Sequence, residues 1–129
     1  MNIYVDSSAL VKIVVEEAES LALARYLAGL PGDNRLTAAI ARTELLRAVA
    51  RRGVAVENAH SVLARLNFVT VTTSVLDVAA EIRPPELRTL DAIHLAAAMS
   101  VPELRALVTY DNRLAEAATA TGLAVVSPG

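Results

Sequence analysis

Four acidic residues, far apart along the chain, stand where strand-like segments give way to helix-like ones. Asp6 closes the apolar run Asn2-Ile3-Tyr4-Val5. Glu44 lies in the first turns of a helix after the second strand. Asp91 opens the segment Leu90-Asp91-Ala92-Ile93-His94, and Asp111 ends the fourth strand. Taken singly, Asp6 and Asp111 read as N-caps, and Asp91 reads as a helix-start acid two residues past a Thr89 cap. Glu44 resists that reading, because its helical neighbours Ile40, Ala41 and Ala48 are apolar and only Arg47, at i+3, is offered locally as a partner. Jointly the four imply more. Two carboxylates about 5 Å apart repel by roughly 3 kcal/mol at an effective dielectric near 20. A divalent cation removes that repulsion. An all-oxygen donor set, in a chain with no Cys, points to a hard ion such as Mg²⁺ or Mn²⁺, one of whose waters can attack phosphorus. Without metal, mutual repulsion is expected to raise at least one carboxyl pKa.

The elements that must position these acids alternate. Strands are expected at 2–5, 35–38, 68–71, 106–109 and 123–126. Helices are expected from Ser7 or Ser8 to Val15, and at about 19–29, 40–52, 56–66, 74–82, 90–101 and 112–121, with Gly53 and Gly122 as stops. In the 56–66 segment Val56, Ala59, Leu63 and Leu66 share one face, which reads as core packing. Such alternation implies one α/β domain over 1–129, three-layered, with a mostly parallel five-stranded sheet. In an open parallel sheet, ligands gather outside the carboxyl ends of the strands. That edge is where Asp6, Glu44, Asp91 and Asp111 are expected to meet.

Composition narrows the rest. At 129 residues the chain holds one domain; 54% hydrophobic residues with 20% charged rule out a disordered chain. Its 3% aromatic content makes base stacking a poor basis for recognition. The longest run without Asp, Glu, Lys or Arg is 117–129, too short to span a bilayer. No secretion signal precedes the first strand, and with zero Cys a cytoplasmic address is the expectation. Of 12 basic residues all but Lys12 are Arg; setting the four acids aside leaves 10 acidic residues against 12 basic ones, an acidic pocket in a slightly basic surround. The one Lys is not in a Gly-Lys-Ser/Thr context, no G-x-G-x-x-G occurs, the fifth strand end lacks a Lys, and Ser8 stands where a dehalogenase-type phosphatase wants a second Asp.

The segments carrying the acids resemble, in order, the motifs of the PIN-domain family, specifically its VapC-like ribonuclease toxins. They are Asn2-Ile3-Tyr4-Val5-Asp6-Ser7-Ser8-Ala9-Leu10-Val11-Lys12, Thr43-Glu44-Leu45-Leu46-Arg47-Ala48, Leu90-Asp91-Ala92-Ile93-His94-Leu95-Ala96-Ala97-Ala98 and Thr109-Tyr110-Asp111-Asn112-Arg113-Leu114. The resemblance runs through to Val125-Val126-Ser127-Pro128. It implies that Asp6, Glu44, Asp91 and Asp111 correspond to a metal-binding, catalytic quartet, the fourth position being the more variable in role. It also implies a Mg²⁺- or Mn²⁺-dependent endoribonuclease cutting structured RNA of the tRNA or rRNA class. A VapB-like antitoxin that blocks the groove, and a homodimer, are implied partners.

Other polar residues carry two readings each. Ser7 and Ser8 cap a helix or contact a metal water or phosphate; Thr109 closes a strand or supports the metal shell. His94, at i+3 from Asp91, packs or supports that Asp, or serves as a general base or ligand, and His60 is expected at the surface. Arg47, Arg51 and Arg52 form a basic stripe that tracks an RNA backbone or a solvated helix end. Arg113 holds a carboxylate or a phosphate. The rival to the nuclease reading is a non-catalytic α/β binding module whose acidic groove holds an ion or a basic peptide.

Overall fold

Ile3, Tyr4 and Val5 are wholly buried, as befits a strand covered on both faces of a parallel sheet. A computed structural model, describing residues 1–129, places this strand, β1 (Asn2–Val5), at the centre. It is flanked by β2 (Asn34–Ala38) and β4 (Leu104–Val108), with β3 (Asn67–Val69) and β5 (Val125–Val126) at the edges. The order is β3-β2-β1-β4-β5 and every pairing is parallel, Tyr4 lying opposite both Leu36 and Leu107. The expectation of a mostly parallel sheet is thus met by a wholly parallel one. Parallel strands need crossovers, and seven helices supply them.

Alternation of side chains along β1 divides the core in two. Ile3 and Val5 pack with Leu10 of α1 (Ser7–Val14), Leu23 of α2 (Ser20–Ala28), Leu45 of α3 (Ala41–Arg51) and Leu63 of α4 (Val56–Leu63). Tyr4 packs on the other face with Val75 of α5 (Thr73–Ala80), Leu95 of α6 (Thr89–Met99) and Leu114 of α7 (Asn112–Ala120). These are the three layers. Helix α6 is apolar nearly all round, and each residue from Ala92 to Ala98 is buried, the pattern of a helix enclosed by its neighbours. Its polar exception in that stretch is His94.

Several boundaries differ from expectation for local reasons. Asp6, not Ser7 or Ser8, caps α1, its side chain accepting from the Ala9 N–H. Arg88 takes the N-cap position of α6 without a side-chain cap bond, so Thr89 is the first helical residue rather than the cap. Strands β3 and β5 are shorter than 68–71 and 123–126, as edge strands with one partner each. In α4 only Ala59 and Leu63 of the expected face are buried, while Val56 starts the helix at an exposed end. Gly53 (φ +66°) and Gly122 (φ +91°) end α3 and α7 in the left-handed region that favours glycine. No helix is long and apolar enough to cross a membrane.

The layer assignment has a direct test. Leu45→Ala, at a fully buried position, should lower unfolding free energy in urea by about 2–5 kcal/mol. Leu21→Ala, at a position 62% exposed in α2, should change it by no more than ~0.5 kcal/mol. Equal losses would contradict the packing described.

Candidate active site

The loops following β1, β2 and β4 open onto one edge of the sheet, the carboxyl edge anticipated for a ligand. Asp6, one residue beyond β1, is 2% exposed. A carboxylate so buried requires donors. Its Oδ1 accepts from the Ser8 hydroxyl at 2.7 Å and the Ala9 N–H at 3.0 Å, and its Oδ2 from the Thr109 hydroxyl at 2.5 Å. Thr109 Oγ1 in turn accepts from the Asp111 N–H, and Ser8 Oγ accepts from the Tyr110 N–H, both at 3.0 Å. The end of β1, the start of α1 and the end of β4 are thereby stitched together. The two readings of Asp6 and Asp111 prove compatible. Each caps its helix, Asp111 Oδ1 accepting from the Arg113 and Leu114 N–H groups, and each still reaches the groove.

Glu44 is satisfied differently from the expectation. Its partner is not Arg47 but His94, fifty positions on, whose Nε2 lies 2.6 Å from Glu44 Oε1. Ser7 donates to Oε2 at 3.3 Å. His94 therefore serves Glu44, from α3, rather than Asp91 on its own helix. Sequence reasoning held a clue to this: one imidazole in an otherwise apolar, enclosed helix must find a polar partner elsewhere.

Asp91 and Asp111 share a cation that the sequence reading missed. Arg88 donates from Nε to Asp91 Oδ2 at 2.9 Å and from its terminal nitrogen to Asp111 Oδ2 at 2.6 Å. Its side chain is 68% exposed, so these pairs are screened by solvent and easily exchanged. The i,i+3 spacing to Asp91 was the available signal.

All four acids line a single groove of about 900 Å³, together with Arg47, Arg51, Arg52 and Arg88. Arg113 lies apart, in a smaller cavity beside Arg83 and Glu116, and His60 is exposed. The acids converge but do not form a closed cage: no three acidic or histidine side chains are spaced to grip an ion as they stand. Their chemistry nevertheless suits a hard, hydrated cation. The donors are all oxygen, and Mg²⁺ typically retains several waters and takes only one or two carboxylates directly.

Electrostatics reflect burial before repulsion. Burial pushes the Asp6 carboxyl above its ordinary 3.8, against the hydrogen bonds of Thr109, Ser8 and Ala9 that pull it down. Burial likewise raises Asp91; the Arg88 hydrogen bond opposes this and the negative charge of Asp111 adds to it. The expected rise is present, then, but desolvation leads and repulsion from a neighbouring acid comes behind it.

A wholly parallel sheet in this order, with strand-end acids converging on one groove, is the architecture of a PIN domain. The PIN-domain family model matches residues 3–120, and the chain belongs to that family. Within it the chain is a VapC-like member. It is 46% identical over 128 residues to Ribonuclease VapC46 of Mycobacterium tuberculosis, the match covering 98% of this chain and 97% of that one. Among solved structures it is similar in fold to Mycobacterium tuberculosis VapC20, described as a Sarcin-Ricin loop cleaving toxin. That match has a TM-score of 0.77 at 19% identity and covers 98% and 99% of the two chains. It is also similar to Rickettsia felis VapBC2, solved bound to a DNA fragment from their promoter, with a TM-score of 0.75 at 14% identity and full coverage of both chains.

The raised Asp91 pKa carries a sign that can be checked. Because the folded carboxyl holds its proton more tightly than the unfolded one, its contribution favours folding below the unfolded value near 3.8. That contribution is lost as pH rises through the higher folded value. Asp91→Asn removes the loss. In EDTA at about pH 7.5 the variant should melt above wild type, unusual for a point substitution, and the gap should close toward pH 4. A variant melting below wild type at pH 7.5 would mean that pairing with Arg88 outweighs desolvation.

Proposed function

We propose that this chain is a metal-dependent endoribonuclease toxin that cuts structured RNA of the tRNA or rRNA class in the cytoplasm. The observation that carries the reading is the convergence of Asp6, Glu44, Asp91 and Asp111, from four separate elements, on one groove beside Arg47, Arg51, Arg52 and Arg88. The full-length similarity to a protein named Ribonuclease VapC46 supports it. Asp6, Glu44 and Asp91 are the proposed holders of Mg²⁺ or Mn²⁺, with Asp111 completing the set. Such an ion, when bound, supplies a water of lowered pKa and polarises a phosphodiester oxygen.

The chain's own residues do the rest. Thr109, Ser8 and the Ala9 N–H hold Asp6 in a single orientation, so its carboxylate needs no reordering as substrate arrives. Arg88 offsets part of the charge of Asp91 and Asp111 through exposed contacts, which weakens the groove's repulsion of an RNA phosphate. Arg47, Arg51 and Arg52 present guanidinium forks suited to phosphate oxygens. An acidic floor is also what a basic segment of a partner would seek. A VapB-like antitoxin is therefore the proposed inhibitor, in keeping with the fold similarity to the Rickettsia felis VapBC2 structure. A homodimer completes the proposal.

One observation favours the second reading, a non-catalytic module that binds a basic peptide. The groove already holds a guanidinium, that of Arg88, across two of its acids. Activity of the purified protein separates the two.

Expression without a partner should arrest growth, and Asp6→Asn or Glu44→Gln should abolish the arrest while the chain still folds. Purified protein should cleave RNA with Mg²⁺ or Mn²⁺ and stop in EDTA. Cleavage that survives chelation would remove the metal from the mechanism. A soluble, folded protein that binds RNA or a basic peptide but never cleaves would select the binding module. RNA affinity should fall steeply with salt, and Arg47→Ala with Arg51→Ala should shallow the slope by about 2 if each neutralises one phosphate.

A further inference from the structure

A buried polar chain runs from the sheet to the groove, where it ends on Glu44. The Ala38 N–H, at the end of β2, donates to the Tyr4 hydroxyl at 3.0 Å. That hydroxyl lies 2.7 Å from His94 Nδ1, and His94 Nε2 lies 2.6 Å from Glu44 Oε1. Tyr4 and His94 are 0% and 1% exposed, and their rings meet edge to face with centroids 5.8 Å apart.

The direction of the chain follows from its fixed end. A backbone N–H can only donate, so Ala38 occupies a lone pair of the Tyr4 oxygen. In the neutral imidazole the Tyr4 hydrogen then meets a bare His94 Nδ1, and the ring proton sits on Nε2, aimed at Glu44. The opposite tautomer would set bare Nε2 against a carboxylate oxygen at 2.6 Å, two acceptors in contact. Burial pushes the Tyr4 phenol well above its ordinary value, which keeps the hydroxyl a donor.

We propose that Tyr4 and His94 are positioning residues for Glu44: a backbone amide of β2 sets the Tyr4 hydroxyl, which together with Glu44 sets the His94 tautomer, and His94 holds one carboxylate oxygen of Glu44 while the other, contacted by Ser7 at 3.3 Å, serves the groove. The proposal rests on the reading of Glu44 as part of a metal-binding groove. The arrangement has the physical logic of outer-shell groups that orient a ligand, whose loss typically costs 10–100-fold in metal affinity. It also couples that orientation to the pairing of the central strand with its neighbour, since Tyr4 belongs to β1 and Ala38 to β2. A carboxylate on a half-buried helix face would otherwise sample several rotamers.

Two measurements test it, one needing no metal. The chain contains two His, so long-range ¹H–¹⁵N spectra of the metal-free protein at about pH 8 resolve both rings. His94 should show a bare Nδ1 and a protonated Nε2, and the exposed ring of His60 serves as the internal comparison. Tyr4→Phe keeps the ring and removes only the hydroxyl; it should move the His94 Nδ1 resonance toward that of an unbonded nitrogen, while Glu44 keeps the proton on Nε2. Mn²⁺ affinity, read from the electron paramagnetic signal of free Mn²⁺, should fall about 10-fold or more in His94→Leu and less in Tyr4→Phe. His94→Gln, which can place an amide N–H near the lost Nε2, should recover part of it. A proton on Nδ1 in the wild type, or Mn²⁺ affinities in His94→Leu and Tyr4→Phe equal to wild type, would overturn the relay. If Tyr4→Phe fails to fold, the wild-type spectrum and the contrast between His94→Leu and His94→Gln still decide. Wild-type protein that binds no Mn²⁺ at all would instead overturn the metal reading, and with it the role given to these residues, while the metal-free spectrum reports separately on the bonds.

Discussion

A carboxylate placed in the dry interior at the end of the central strand sets the terms for the whole carboxyl edge of the sheet. Transfer of an ionised group out of water is costly unless it is hydrogen-bonded, and Asp6 meets that demand with the Ser8 hydroxyl, the Ala9 amide and the Thr109 hydroxyl. Those donors are themselves committed. Thr109 also receives the Asp111 amide and Ser8 the Tyr110 amide, so satisfying Asp6 fixes where α1 starts, where β4 stops and where the next acid stands. The tail joins the same lattice: Ser127 donates to the Thr109 carbonyl and the Tyr110 hydroxyl to the Pro128 carbonyl. A network that is fully satisfied rigidifies; one missing a member would leave the others unpaired in a medium of low dielectric.

Around that point the fold answers the like-charge problem in several small ways. All four acids stand at helix starts: Asp6 and Asp111 as N-caps of α1 and α7, Glu44 and Asp91 in the first turns of α3 and α6. Each helix start offers a carboxylate roughly 0.3–1 kcal/mol. Arg88 adds a mobile counter-charge for Asp91 and Asp111, and His94 a fixed donor for Glu44. None of these closes the groove. The acids stay open to a groove that Arg47, Arg51, Arg52 and Arg88 also line.

The two faces of the sheet divide the labour. The face carrying Ile3 and Val5 packs α1–α4 in aliphatic contacts. The face carrying Tyr4 packs the most deeply enclosed helix, α6, and there the core admits a polar line of Ala38, Tyr4, His94 and Glu44. Such a line is tolerable only because every member has a partner of the right polarity. Its existence explains why an imidazole survives in the enclosed stretch from Ala92 to Ala98, otherwise Ala, Leu and Ile.

From the sequence alone the alternation of apolar strands with amphipathic helices was enough for the layers and the parallel sheet, since both follow from side-chain periods of two and 3.6. The strand-end positions of Asp6 and Asp111, and the helix-start positions of Glu44 and Asp91, were legible for the same reason: chain order and the carboxyl edge of a parallel sheet bring them to one side. Local signals misled at the cap of α1, where Asp6, Ser7 and Ser8 were equivalent candidates, and at the start of α6, where Thr89 proves to be the first helical residue rather than the cap. The pairings across the groove belong to the tertiary structure. That Glu44 bonds His94 rather than Arg47, and that Arg88 spans Asp91 and Asp111, depends on how α3, α6 and the start of α7 converge above the strand ends. A hydrogen bond is made or lost within a few tenths of an ångström, and no periodicity in a chain specifies a distance of that size between residues fifty positions apart.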